Sequence, residues 1–132
     1  MKGVFTDMQD CSSPLEGATV RTREELFALL DSVRDRQPFI CELEGENGYK
    51  LALGISKDLA WVQHSPSDDD PPYFVAVATA EGSRDEEVEF LMDNTQTPLP
   101  KRHCVPFATM REIAACFLET GERSSAVTWE EV

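Results

Sequence analysis

The chain has 132 residues, 41% of them apolar, with 25 acidic against 12 basic side chains and a formal charge of -13. That length suits one domain around one core, and the charge opposes direct binding to nucleic-acid phosphates or anionic lipid heads while favouring a cationic protein partner. No apolar run reaches signal-peptide or membrane-spanning length, so a cytoplasmic protein bound to neither membrane nor nucleic acid is expected.

Residues 1 to about 15 are polar and aperiodic and read as a loose leader, with a strand candidate near 17–20. Thr22 and Glu25 have capping-box spacing, and Leu26, Phe27, Leu30 and Val33 follow as one helical stripe before Arg34 and Arg36 meet the negative helix end. Pro38 closes that helix. Beyond it the period drops to two: Phe39, Cys41 and Leu43 share one face, Ile40, Glu42 and Glu44 the other. Asn47-Gly48 supplies a positive-φ hairpin dipeptide, and the returning strand puts Tyr49, Leu51, Leu53 and Ile55 on one side.

A turn at Ser56 to Asp58 leads to the strand AWVQH, and after an Asp- and Pro-rich loop comes the strand YFVAVAT. EEVEFLM, residues 86–92, reads as a strand, although its glutamate start also suits a helix; residues 93–105 read as a long connection. In the second helix Met110, Ile113, Ala114, Phe117 and Leu118 form the stripe. Thr109 with Glu112 could cap it, whereas Pro106 argues for an earlier start. Gly121 is placed to end this helix in the left-handed conformation, and AVTW is a closing strand candidate. The elements imply an α+β fold: an antiparallel sheet of about five to six strands with two helices packed on one face.

The motifs of common enzymes are missing. His64 and His103 are the only histidines and lie in no zinc-binding context, and no P-loop, dinucleotide-binding glycine pattern or G-x-S-x-G is present. Cys11, Cys41, Cys104 and Cys116 are widely spaced and read as reduced thiols. No metal, cofactor or catalytic residue is assigned; an enzyme built on His64, His103 or Cys104 ranks below a binding protein.

The placement of the acidic residues says more than their number. Asp68, Asp69, Asp70, Glu81, Asp85, Glu86, Glu87 and Glu89 cluster around one strand, with Arg84 the only base from 68 to 93. Prolines hold the tripled aspartate beside Tyr73 and Phe74, which joins charge to aromatic area as protein interfaces do. These acids, with Trp61 and Tyr73, are the candidate partner-binding residues; a solvated turn guarding a sheet edge is the plain alternative. Phe117, Gly121 and Trp129 are read as structural, Trp129 alternating with Val127 so that both face the core.

The order of leader, helix, strand meander with Leu53-Gly54-Ile55 through Trp61-Val62, long loop and second helix leads to Phe117-Leu118-Glu119-Thr120-Gly121-Glu122-Arg123 and Val127-Thr128-Trp129-Glu130-Glu131. Over residues 22–132 this resembles immunity protein family 1 of bacterial polymorphic toxin systems. Ser124 stands where members often carry proline, which implies a looser loop there. The resemblance implies a non-enzymatic cytoplasmic protein that binds a cognate toxin, often one of the deaminase superfamily acting on cytosine in DNA. Such a toxin needs a positive groove around a zinc-bound water, and an acidic partner can cover both. A dedicated acidic chaperone of a secreted effector is the alternative of a different class.

Overall fold

Thr22 caps the first helix as its spacing predicts. Its Oγ1 accepts the Glu25 N–H at 3.1 Å, and the Glu25 carboxylate accepts the Arg21 N–H at 2.9 Å. The structure is a computed structural model describing residues 2–7, 17–34, 39–56, 58–77, 87–92 and 95–132. Helix α1 (Arg23–Val33) buries Leu26, Leu29, Leu30 and Val33. Phe27 is only half-buried, because it sits at the flank of the stripe beneath the Arg111 guanidinium, 4.2 Å from its ring. Arg36 and Pro38, read as helix-ending residues, lie outside the described residues.

Helix α2 (Phe107–Thr120) takes the earlier of its two possible starts. Pro106 occupies the cap position, and the Phe107 N–H donates to the Asp58 carbonyl at 2.9 Å in place of a side-chain cap. Thr109 and Glu112 therefore lie inside the helix. Glu112 instead accepts from Arg23 of α1 at 3.0 Å, and Glu119 accepts from the same guanidinium at 2.8 Å. Gly121 ends α2 at φ 75°, as its position indicates.

The remaining elements are β1 (Gly3–Asp7), β2 (Thr19–Val20), β3 (Phe39–Glu44), β4 (Tyr49–Ser56), β5 (Leu59–Pro66), β6 (Phe74–Val77), β7 (Glu87–Met92), β8 (Thr95–Pro100), β9 (Cys104–Pro106) and β10 (Thr128–Glu131), with a 3-10 turn at Lys101–His103. Among the described residues, eight strands form one antiparallel sheet in the order β10-β6-β5-β4-β3-β1-β2, with β9 pairing the stretch of β5 that β6 leaves free. The α+β class, with both helices on one face of an antiparallel sheet, is as the sequence indicates. β2 and β10 overlap the strand candidates near 17–20 and at AVTW, and the sheet is wider than five or six strands because β1 and β9, with five and three residues, are too short to display a period.

Residues 3–7 are thus not part of a loose leader: they pair with β3 on one side and β2 on the other, and Phe5 is 1% exposed. Residues 8–16 lie outside the described residues. Asn47-Gly48 also behaves differently from a two-residue hairpin. Only Gly48 takes positive φ, at 87°, and the loop of residues 45–48 is closed by the Gly45 N–H on the Tyr49 carbonyl at 2.9 Å.

Alternation along the strands divides the apolar side chains between two faces. Cys41, Leu43, Leu51, Leu53, Ile55, Ala60 and Val62 pack with both helices. Ile40, Trp61, Val75 and Cys104 point the other way, where Phe90 covers them with Val88 and Leu99 at its margin. The cover is the hairpin β7–β8, whose second strand replaces the long connection expected over 93–105. Pro98 and Pro100 obscured it, since proline is a poor strand residue unless the strand is an edge, as β8 is here. Gly54 makes the docking possible: a Cβ there would stand 2.8 Å from Phe90 Cδ1.

Candidate functional site

Antiparallel order brings residues 45–48 and 67–73 to one end of the sheet, and a third loop, residues 121–127, joins them there through residues 121–123 where α2 ends. They are tied together rather than merely adjacent. The Ser67 N–H donates to the Gly48 carbonyl at 2.8 Å, the Asn47 side-chain amide donates to the Gly121 carbonyl at 2.9 Å, and the Val132 N–H donates to the Tyr73 carbonyl at 2.9 Å. Asp69 holds a left-handed backbone at φ 66°, secured by its carboxylate on Lys50 and by the Tyr73 hydroxyl donating to its carbonyl. Burial works against the Lys50 charge, yet Asp69 and Glu42 outweigh it and raise the ammonium pKa above its ordinary value. The loop of residues 121–127 is tied down as well. The Trp129 indole N–H donates to the Ser124 carbonyl at 2.8 Å, and the Ser124 hydroxyl accepts the Ala126 N–H at 3.1 Å. Ser124 is buried, so it secures this loop where a looser one was expected.

Between these loops lies a cleft of about 520 Å³ lined by Asn47, Tyr49, His64, Pro72, Phe74, Gly121, Glu122 and Arg123. His64 is its most buried polar residue. Tyr49 stacks on the imidazole with centroids 4.9 Å apart, while Phe117 and Trp129 meet it edge-on at 5.7 and 6.4 Å. Its Nε2 is buried with no hydrogen-bond partner among the described residues. Burial lowers the His64 pKa from 6.5, an interaction with the Gly121 backbone opposes the shift, and the Arg123 charge adds to it. The unfolded chain therefore takes up this proton near pH 6.5 and the folded chain only at lower pH. Stability is full above that pH and declines as the pH falls from there toward the folded-state value. Melting temperatures of the wild type and His64→Gln between pH 7.5 and 5 should show a steeper acid-side fall in the wild type; parallel curves would contradict this.

The surface around the cleft joins charge to apolar area. Asp68, Asp69, Asp70, Glu46 and Glu122 are exposed on the three loops, and the Asp70 N–H donates to Asp68 Oδ1 at 3.0 Å. Tyr49 and Val132 are the two exposed large hydrophobic residues among the described residues, and both stand at this end. Tyr73 and Phe74 are half-buried beside them.

The candidate partner-binding residues do not all converge here. Asp68, Asp69, Asp70 and Tyr73 do. Glu87 and Glu89 are exposed on the hairpin that covers the opposite face, and Trp61 is 8% exposed beneath that hairpin, packed with Phe90. Glu81, Asp85 and Glu86 lie outside the described residues. Phe117 is buried under the cleft, Gly121 caps α2 at its wall, and Trp129 is half-buried on β10. Sequence reasoning named Phe74 as aromatic area beside the tripled aspartate and left out Asn47, Tyr49, Val132 and Arg123. Arg123 had a signal, since it ends the FLETGER stretch; the others became neighbours only through strand pairing.

Of the residues weighed for chemistry, His64 lies in this cleft, whereas His103 and Cys104 are not among its lining residues. Burial raises the Cys104 thiol pKa to about 11, against the opposing charge of Lys101. The thiol therefore stays protonated near neutral pH, and it donates to the Pro100 carbonyl at 3.7 Å. His103 Nε2 is 3.4 Å from Glu130. Among the described residues no group of three or more His, Cys, Asp or Glu is arranged to hold a metal ion, and no helix is long and apolar enough to cross a membrane.

A search of curated proteins finds no match. The family model for Immunity protein Imm1 matches residues 15–131, which takes in both helices, every described strand except β1, and all three loops around the cleft. With that extent of the chain matched, the protein belongs to the Imm1 family of immunity proteins, which act against toxins.

Proposed function

We propose that the chain neutralises its cognate toxin by binding it through the loop end around the cleft. Asp68, Asp69, Asp70 and Glu122 face a basic toxin surface, and Tyr49, Tyr73 and Val132 supply apolar anchors. The observation that carries this reading is the coincidence of the two exposed large hydrophobic residues with the tripled aspartate on interlocked loops. Interfaces combine anchors near their centre with charges that steer the encounter, and loops already fixed lose little entropy on binding.

The toxin in this reading is a nucleic-acid-targeting deaminase, with cytosine as its base. Its phosphate-binding groove is the natural complement of a chain with a charge of -13. Inhibition is by occlusion: carboxylates take the positions of phosphates and an aromatic side chain closes the entrance, with no reaction carried out by this chain. Glu87 and Glu89 extend the negative field that speeds approach from the hairpin side, and Glu81, Asp85 and Glu86 add to the net negative charge of the chain. Trp61 contributes through the sheet it stabilises.

Stopped-flow association with the cognate toxin domain tests the electrostatic part. Raising salt from 50 to 300 mM should slow association about tenfold or more, and Asp68→Asn with Asp70→Asn should flatten that dependence. An association rate indifferent to salt removes the steering carboxylates from the mechanism.

A further inference from the structure

Among the described residues, most cations of this acidic chain are spent on internal carboxylates. Arg23 meets Glu112 and Glu119, Arg34 meets Asp58, Lys50 meets Glu42 and Asp69, Arg102 meets Glu130, and Arg111 meets Asp31. Arg123 is exposed in the wall of the cleft and pairs with no described carboxylate, although Glu122 precedes it and Glu131 is the cross-strand partner of Phe74. Its guanidinium carbon instead lies over the Phe74 ring, 3.8 Å from the centroid.

That placement has a chemical consequence. A guanidinium over an aromatic ring satisfies its face, while its five N–H donors radiate from its edge in the fork that matches a carboxylate. Phe74 is fixed by pairing to β5 and β10, so the fork is held at the cleft wall instead of collapsing onto Glu122. The cleft, about 520 Å³, has room for a short acidic side chain, and its other lining residues place Asn47 and Tyr49 within the same space.

We propose that this cleft receives a carboxylate of the toxin, an aspartate or glutamate side chain gripped by Arg123 against Phe74, as a lock of reversed charge within an otherwise acidic surface. The inference rests on the toxin-binding reading and deepens it. Acidic loops attract any protein with a basic groove; one buried pair of opposite polarity selects the partner that carries an acid at the matching position. Steering and selection are thereby given to different residues: the aspartates govern association, and Arg123 governs dissociation.

Calorimetry and stopped-flow kinetics of the full chain with its cognate toxin domain test this. Arg123→Ala should weaken binding about 10–100-fold, almost wholly through faster dissociation, and Arg123→Glu should weaken it further. Arg123→Lys should recover only part of the loss, because an ammonium lacks the fork. Melting temperatures should stay close to wild type. On binding, the Arg123 side-chain Nε–H resonance of the wild type should shift and become protected from exchange, which reads the contact without a substitution. Wild-type affinity in Arg123→Ala, tighter binding by Arg123→Glu, or an unmoved Nε–H signal would each overturn the lock while leaving the toxin-binding reading intact. Failure of the wild type to bind the toxin would overturn both.

Discussion

Replacing Phe90 with alanine is expected to lower the unfolding free energy by about 3–5 kcal/mol, the range for deleting a fully buried aromatic side chain. Phe90 is 0% exposed and is the side chain by which the β7–β8 hairpin fills the space that Gly54 leaves over the sheet. Its loss opens a cavity against Ile40, Trp61, Val75 and Cys104, and a two-stranded hairpin without that anchor is marginal by itself. Chemical denaturation followed by tryptophan fluorescence suits the measurement, because Trp61 reports on this cluster. A loss under about 1 kcal/mol would mean that the hairpin is not docked as described. Gly54→Ala attacks the same contact from the other side, since its methyl group would stand 2.8 Å from the Phe90 ring. The two substitutions together should cost less than the sum of their separate effects, because removing the ring makes room for the methyl group.

The second large effect is expected at Gly121. With φ at 75°, alanine there adopts a backbone conformation unfavourable to L residues, and its Cβ would collide with the Asn47 side-chain amide that holds the Gly121 carbonyl. Together the backbone strain and the lost hydrogen bond should lower stability by about 2–3 kcal/mol. The damage has a location as well as a size. Asn47, Gly121 and Arg123 all line the cleft, so Gly121→Ala should weaken toxin binding more than its stability loss explains. Combining it with Asn47→Ala separates strain from collision: the double substitution should regain stability relative to Gly121→Ala, leaving the backbone part. If Asn47→Ala brings no recovery, the collision is not the cause.

Tyr49 illustrates why much of the site could not be read from the chain. Its alternation with Leu51, Leu53 and Ile55 places it correctly on the helix-facing side of β4, and nothing in that pattern marks it as a lining residue. It becomes one because β4 pairs β5 in a register that sets Leu51 opposite His64, leaving the imidazole for Tyr49 to stack upon. Arg123 is similar. Its neighbours in sequence are a glutamate and a serine, whereas its neighbour in space is Phe74, 49 positions earlier and two strands removed from β4.

What the sequence by itself determined is what spacing within a few residues and composition govern: the Thr22–Glu25 cap, both helical stripes, the two-residue alternation of β3 and β4, the left-handed stop at Gly121, and a net charge of -13. These follow from backbone geometry and local hydrogen bonding, which act over one or two turns. Only the tertiary structure decided that residues 3–7 enter the sheet, that a proline-bearing segment folds over its second face, and that Trp61 is buried while Tyr49 and Arg123 line a cleft. Those outcomes depend on which strand lies beside which and in what register, a choice settled by burying both faces of the sheet at once and invisible to any window of neighbouring residues.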